Sequence, residues 1–216
     1  MTAADSAPNG NTIRSERSTR AMLEAAGEII YESGYGAVTF VAVSERSGYS
    51  RGLVTGRFGS KEKMMRALID RITEGWNASH VFPRTAGKDG LTGLLIGFEE
   101  LVKQFRQDTK SLAVLYTLIS EALGPDEALR EKMRDLHREL RHYMAQLLSR
   151  GIEDGSIRPD ISPDLEAAAV VAMLRGIGYQ WRLDPDRIDP VKAFEHVIEM
   201  LRERWRPPES LRTSDS

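Results

Sequence analysis

The chain has 216 residues, with 30 Lys or Arg against 32 Asp or Glu, so it is not a polycation. Cysteine is absent, which excludes a disulfide scaffold and a thiolate metal site. No apolar run reaches the length of a membrane span and no signal-peptide pattern opens the chain, so a cytoplasmic protein is expected. Residues 12–71 carry 10 Lys or Arg against 7 Asp or Glu, a mildly basic balance that suits contact with phosphates.

The N-terminal segment is predicted to be a disordered tail followed by a helix. Residues 1–13 are small, polar and rich in turn formers. A helix is predicted over 15–33, because apolar residues recur there at the i, i+3, i+4 spacing of one helical face. Arg14, Arg17 and Arg20 cluster at its start. Helix N-termini disfavour cations, so either a nearby phosphate or ordinary solvated charge would explain them.

The most informative stretch covers residues 39–63 and reads TFVAVSERSGYSRGLVTGRFGSKEK. Thr39, Ser50 and Ser60 are predicted to be the N-caps of three successive helices. Gly48 lies at the break between the first two helices, where a positive φ costs little. Two short helices joined by a tight turn that contains Gly form a helix-turn-helix, whose second helix enters the DNA major groove.

The residues GYSRG at 48–52 and RFGSKE at 57–62 resemble the DNA-binding signature of the TetR (tetracycline-repressor-like) family. The likeness extends over residues 17–76. Thr55 stands where the family usually has Tyr, and Gly56 stands where it often has His or Tyr. Those aromatic side chains normally contact the DNA backbone.

The expected DNA contacts follow from this resemblance and from position on the second helix. Arg51 leads that helix and is the first candidate for a base edge, with Arg57 next. The remaining candidates are expected to hold phosphates or to allow close approach of the backbone. The complete predicted DNA-binding set is Arg17, Thr39, Ser50, Arg51, Gly52, Thr55, Arg57 and Lys61.

Six further helices are predicted after the helix-turn-helix, and no strand pattern is found. The fourth covers 61–77, and the eighth covers 163–183. The segment AAAVVAMLRGIGY in the eighth is apolar on every face, which indicates the chain's own core on one side and another surface on the other. The prediction is an all-α chain of about nine helices. It has a helix-turn-helix domain at 14–60, a ligand-binding and dimerisation domain at 61–206, and disordered tails at 1–13 and 207–216.

No constellation of catalytic residues is found. His137 and His142 are five residues apart and so point in different directions on a helix, and the sequence between them is not the HExxH zinc pattern. No serine lies in a nucleophile elbow. The chain is therefore predicted not to be an enzyme and to need no metal or cofactor.

The TetR resemblance implies a homodimeric, ligand-responsive repressor that binds a palindromic DNA operator and is released by a small molecule. A single helix-turn-helix also makes too few contacts for tight specific binding, which independently favours a dimer. The alternative is a helical dimeric interaction protein with a vestigial helix-turn-helix.

Two further sets of site residues are predicted for the larger domain. The ligand-binding set consists of aromatic residues and one methionine of the fifth to eighth helices: Phe98, Phe105, Tyr116, Met144, Tyr179 and Trp181. The dimer set comes from the eighth and ninth helices: Ala168, Val171, Ala172, Leu174, Arg175, Gly178, Phe194, Val197, Ile198 and Leu201.

Overall fold

The computed structural model describes residues 10–74 and 84–207, which form nine α-helices and no strand. This confirms the predicted all-α fold. The chain divides into two compact units between Arg71 and Ile72. None of the helices in the described ranges has the length and apolarity that a membrane crossing requires.

The first unit is built from four helices and a short 3-10 turn at Tyr35–Ala37. Their bounds are α1 Gly10–Ser33, α2 Phe40–Ser47, α3 Arg51–Phe58 and α4 Lys61–Thr73. Each helix turns one apolar face inward, and α1 packs against α2, which packs against α3. The most deeply buried side chains of this core are Met22, Ile30, Val43, Val54, Met64, Met65 and Ile69.

The ends of this unit differ from the sequence prediction. Helix α1 begins at Gly10, so residues 10–13, which were predicted to be disordered, are helical. The segment from Asn11 to Ile13 contains neither Pro nor Gly, so nothing in it interrupts the helix. Residues 1–9 and 208–216, where the rest of the predicted tails lies, are outside the described residues.

The boundary between the units also differs from the predicted position after residue 60. Most of α4 belongs to the first unit, because Met64 and Ile69 are fully buried and Arg71 forms an ion pair with Glu24 of α1 at 3.2 Å. Burial of one face of α4 therefore joins it to the helix-turn-helix.

The second unit contains five helices around a larger core. Their bounds are α5 Gly90–Gln107, α6 Thr109–Glu121, α7 Glu127–Glu153, α8 Pro163–Leu183 and α9 Pro190–Trp205. Helix α7 packs between α5 and α8, α9 packs on α5 and α8, and α6 contacts α5, α7 and α8. The centre holds a group of buried aromatic side chains: Phe98, Phe105, Tyr116, Trp181, Phe194 and Trp205.

One buried carboxylate connects α8 to α9. Glu166 accepts hydrogen bonds from Arg204 Nε at 3.1 Å and from Trp205 Nε1 at 3.1 Å. The Arg204 hydrogen bond is the main reason that the pKa of Glu166 lies below its usual value. A buried carboxylate with two hydrogen-bonding partners on α9 helps to orient α8 and α9 relative to each other.

Candidate nucleic-acid interface and ligand cavity

The turn between α2 and α3 is held by local hydrogen bonds that the sequence predicts. Thr39 Oγ1 accepts from Ala42 N at 3.1 Å and caps α2, and Ser50 Oγ accepts from Leu53 N at 3.3 Å and caps α3. Gly48 has a φ of 74°, the left-handed conformation that favours glycine. The Ser50 capping bond fixes where α3 begins.

Helix α3 presents most of its surface to solvent. Only Val54 and Phe58 are buried, at the i, i+4 spacing expected for one inward face. Arg51 and Arg57 are both exposed, and neither forms an ion pair within the described ranges. An exposed guanidinium without an internal partner can donate to phosphate oxygens or to the guanine edge in the major groove.

Two glycines on α3 leave part of its surface without side chains. Gly52 and Gly56 are four residues apart and therefore lie on the same side of the helix. A Cβ placed on either would meet nothing within 4 Å, and neither glycine has a positive φ. The protein's own packing thus gives no reason for either glycine.

Lys61 differs from the other predicted phosphate contacts. Its Nζ donates to the carbonyl of Tyr35 at 3.0 Å and lies 3.9 Å from the centroid of the Tyr35 ring. This ammonium group ties the start of α4 to the 3-10 turn through a hydrogen bond and a cation–π contact. Sequence reasoning missed the contact because Tyr35 is 26 positions away along the chain. Arg17 and Thr55 are exposed, as a DNA contact requires.

The second unit contains a cavity of about 70 Å³ bordered by α5, α6, α7 and α8. Three of the predicted ligand-binding residues, Phe98, Tyr116 and Met144, line it. Most of the remaining wall is aliphatic, from leucines and Gly97. Sequence reasoning missed two of its polar side chains, Glu100 and Tyr143, which no motif marks.

The other three predicted ligand-binding residues lie elsewhere. Phe105 and Trp181 pack edge to face, with ring centroids 5.6 Å apart, in the aromatic centre of the core. Tyr179 is 57% exposed on the outer face of α8. The helical rotation of 100° per residue explains this outcome, because the neighbouring Gly178 faces inward and so turns Tyr179 outward.

The structure also places most of the predicted dimer residues away from the exposed surface. Five of its members are buried within the chain's own core: Val171, Leu174, Gly178, Phe194 and Leu201. Val197 and Ile198 are partly buried against that core, and Arg175 lines the cavity. Among the predicted α8 residues, Ala168 and Ala172 are the ones that are exposed. A helix that is apolar all round gives no sequence signal that separates its inner face from its outer face.

Gly178 has a specific packing role inside the unit. A Cβ at this position would lie 1.8 Å from Cζ of Tyr116, so only glycine leaves room for that ring against α8. The Tyr116 hydroxyl donates to the carbonyl of Leu174 at 3.0 Å. Burial raises the pKa of Tyr116, which remains a neutral donor at physiological pH.

Arg175 is positioned at the cavity by a histidine. Its Nε donates to Nε2 of His137 at 3.0 Å, and Nδ1 of His137 lies 2.7 Å from the carbonyl of Met133. The carbonyl can only accept, so His137 is the neutral tautomer with its proton on Nδ1. Burial, together with the positive charges of Arg175 and Arg141, lowers the pKa of His137. The hydrogen bond to His137 therefore positions Arg175 without compensating its positive charge.

Comparison with known proteins decides the family. A profile described as "Bacterial regulatory proteins, tetR family" matches residues 22–68, which contain the helix-turn-helix. A second profile, "BetI-type transcriptional repressor, C-terminal", matches residues 94–206, more than half of the chain. The chain belongs to the TetR family. It is a DNA-binding transcriptional regulator and not an enzyme.

Individual relatives agree with this assignment. The TetR-family chain is 22% identical over 187 residues to a probable HTH-type transcriptional regulator, ArpR, of Pseudomonas putida, covering 84% of this chain and 88% of ArpR. A TetR-family regulator from Agrobacterium tumefaciens has the same fold, with a TM-score of 0.74 at 19% identity over 89% of this chain and 99% of that one. A putative regulator from Saccharomonospora viridis, solved in complex with choline, gives a TM-score of 0.72 at 18% identity over 88% and 98%.

Proposed function

We propose that this TetR-family regulator is a homodimeric repressor that binds a palindromic operator and is released by a small molecule. The observation that carries the proposal is the surface of α3, where Arg51 and Arg57 are exposed and unpaired behind a well-capped turn. Arg51, at the first turn of α3, is assigned to a base edge, and Arg57 is assigned to a base edge or a phosphate. Such a protein acts where the chromosome is, in the cytoplasm.

The remaining contacts are assigned to the DNA backbone. Thr39 and Ser50 place hydroxyl groups at the starts of α2 and α3, and each can donate to a phosphate while its oxygen caps the helix. Thr55 adds an exposed hydroxyl group within α3. Gly52 and Gly56 allow the α3 backbone to approach the DNA closely. Arg17 of α1 adds a further cation, whereas Lys61 supports the domain from within.

Dimerisation is supported by an apolar outer face on α8 and α9. Leu165 and Leu183 are 72% and 68% exposed, and Tyr179 lies between them. The exposed apolar residues are Leu165, Ala168, Ala169, Ala172, Tyr179 and Leu183, which share one side of α8, and Met200 on α9. An apolar face of this kind marks a protein–protein interface, and small alanines allow two helices to approach closely. We propose that it packs against the same face of a second copy.

Release by a ligand is supported by the cavity. It opens among four helices of the second unit, the usual place for a small-molecule site in a helical bundle. The related regulator from Saccharomonospora viridis was solved with choline bound, so a domain of this fold can hold a small molecule. A ligand that binds one conformation better than another shifts the equilibrium between DNA-bound and free protein.

An electrophoretic mobility shift on the protein's own upstream region tests the proposal. We expect a discrete complex with that fragment that survives competition by unrelated DNA. A chain that dimerises but shifts no upstream or genomic fragment would instead support the interaction-protein alternative. A genome-wide map of bound fragments would then identify the operator and the neighbouring genes.

A further inference from the structure

We propose that the cavity of the second unit takes a small aliphatic carboxylate, with Arg175 as its counter-ion. This inference rests on the proposed ligand-responsive function and adds the chemical class of the ligand.

Arg175 supplies a positive charge at the cavity. Its side chain lines the cavity and donates through Nε to His137, a neutral group. No carboxylate in the described part of the chain forms an ion pair with it. The guanidinium carbon lies 5.8 Å from the centroid of the Tyr116 ring, which supports the cation but leaves its charge uncompensated. A partly buried cation without an anion is the condition that an anionic ligand relieves.

The second step concerns the acidic residue of the wall. Glu100 also lines the cavity, but it forms ion pairs with Arg84 and, at 3.7 Å, with Lys103. Its charge is therefore already compensated by two cations. The net charge that the cavity presents to a ligand is positive. A quaternary ammonium ion such as choline would meet Phe98, Tyr116 and Tyr143, but it would also meet the uncompensated Arg175.

The third step is size. A cavity of about 70 Å³ is several times the roughly 10–15 Å³ that one water molecule requires. The walls beyond Arg175 are aliphatic or aromatic, and Met144 is an adaptable side chain that can move to lengthen the space. A carboxylate with a short unbranched tail fits this combination of one cationic end and an apolar remainder.

Titration calorimetry on the full chain at neutral pH tests the inference, with hexanoate, hexanamide, acetate and choline as probes. Hexanoate is expected to bind at least about tenfold more tightly than each of the other three, the scale of a charge-assisted hydrogen bond in a partly dry site. The amide keeps the tail and removes the charge, acetate keeps the charge and removes the tail, and choline reverses the charge. Equal or tighter binding of hexanamide or choline would overturn the inference, as would an absence of hexanoate binding.

Two variants locate the site. R175M is expected to remove the preference of the protein for hexanoate over hexanamide, and R175K is expected to restore part of it. Gly97→Leu fills the cavity from a position where a Cβ meets nothing within 4 Å, so it is expected to abolish binding while the chain stays folded. Unchanged hexanoate binding by either R175M or Gly97→Leu would contradict the assignment.

Operator binding measured on the same protein distinguishes a failure of the carboxylate site from a failure of the proposed function. If hexanoate binds with the expected preference but does not alter operator binding, the carboxylate site stands and ligand-controlled release is wrong. If another ligand releases the operator while no carboxylate binds, ligand-controlled release stands and the carboxylate site is wrong.

Discussion

At the residue scale, some cations of the first unit have a partner within that unit and others do not. Arg71 and Lys61 are held inside the first unit, by Glu24 and by Tyr35 respectively. Arg51 and Arg57 have no such partner within the described ranges. Removing a cation that has an internal partner is expected to change the stability of the fold. Removing one without such a partner is expected to change only the affinity for DNA.

Replacing Arg51 by Ala is predicted to weaken operator binding by about 1–3 kcal/mol and to relax the base preference at one position of each half-site. Arg138→Ala removes the same charge from an exposed residue of the second unit, where it forms a surface pair with Asp135 at 3.1 Å, and is the matched control. Competition binding on operator fragments with single base changes measures both effects. Equal loss on all fragments would show that Arg51 contacts only phosphate.

A second pair of variants tests the glycines of α8. Gly178→Ala forces a methyl group into the Tyr116 ring and is predicted to lower the free energy of unfolding by about 1–3 kcal/mol. Gly176→Ala makes the same chemical change two residues away, where the Cβ meets nothing, and is predicted to stabilise the helix by up to about 1 kcal/mol. Chemical denaturation measures both. Similar midpoints for the two variants would contradict the packing described for Tyr116.

At the scale of the element, α3 and α8 show what sequence reasoning can reach. The N-cap of α3, the break at Gly48 between α2 and α3, and the bounds of α8 all follow from local chemistry, and the structure has them where the sequence predicts them. The division of α8 into inner and outer faces does not follow, because Val171 and Ala172 are equally apolar and only tertiary packing separates them.

The cavity was predicted only in part for the same reason. Aromatic residues indicate a ligand site and a core equally well, so Phe98 lines the cavity while Phe105 fills the core. The sequence feature that could have located the cavity was Arg175, a cation in an otherwise apolar segment of α8. Sequence reasoning placed Arg175 on the outer face, because the position of a residue along a helix does not reveal the contact with His137, 38 positions away.

Helix α3 is predicted to be soft in the absence of DNA, because Gly52 and Gly56 each cost about 1 kcal/mol relative to Ala within a helix. Gly56→Ala is therefore expected to raise the free energy of unfolding and to slow amide exchange over residues 52–57. The matched control is Gly59→Ala, which has equal space but a φ of 73° and is expected to destabilise. Exchange over residues 52–57 of the free wild-type protein as slow as that of α1 would contradict the prediction.

At the scale of the whole molecule, one helix-turn-helix offers too small a contact for specific binding, and we propose that the outer face of α8 and α9 mediates pairing. Ala172→Asp places a charge within this face and is predicted to abolish dimerisation and operator binding together, at a cost of several kcal/mol. Gln146→Asp, at an exposed position of α7, is the control and is expected to change neither. Sedimentation velocity and mobility shifts on the same samples measure the two effects.

The proposed dimeric repressor is tested most directly by the stoichiometry and footprint of the wild-type protein on a fragment from its own upstream region. We expect two chains per fragment and two protected half-sites whose centres are about 34–36 Å apart, one turn of DNA, or a multiple of that distance. Sedimentation of the free protein at micromolar concentration should show the dimer. A monomer that binds a single site tightly, with only one protected segment, would contradict it.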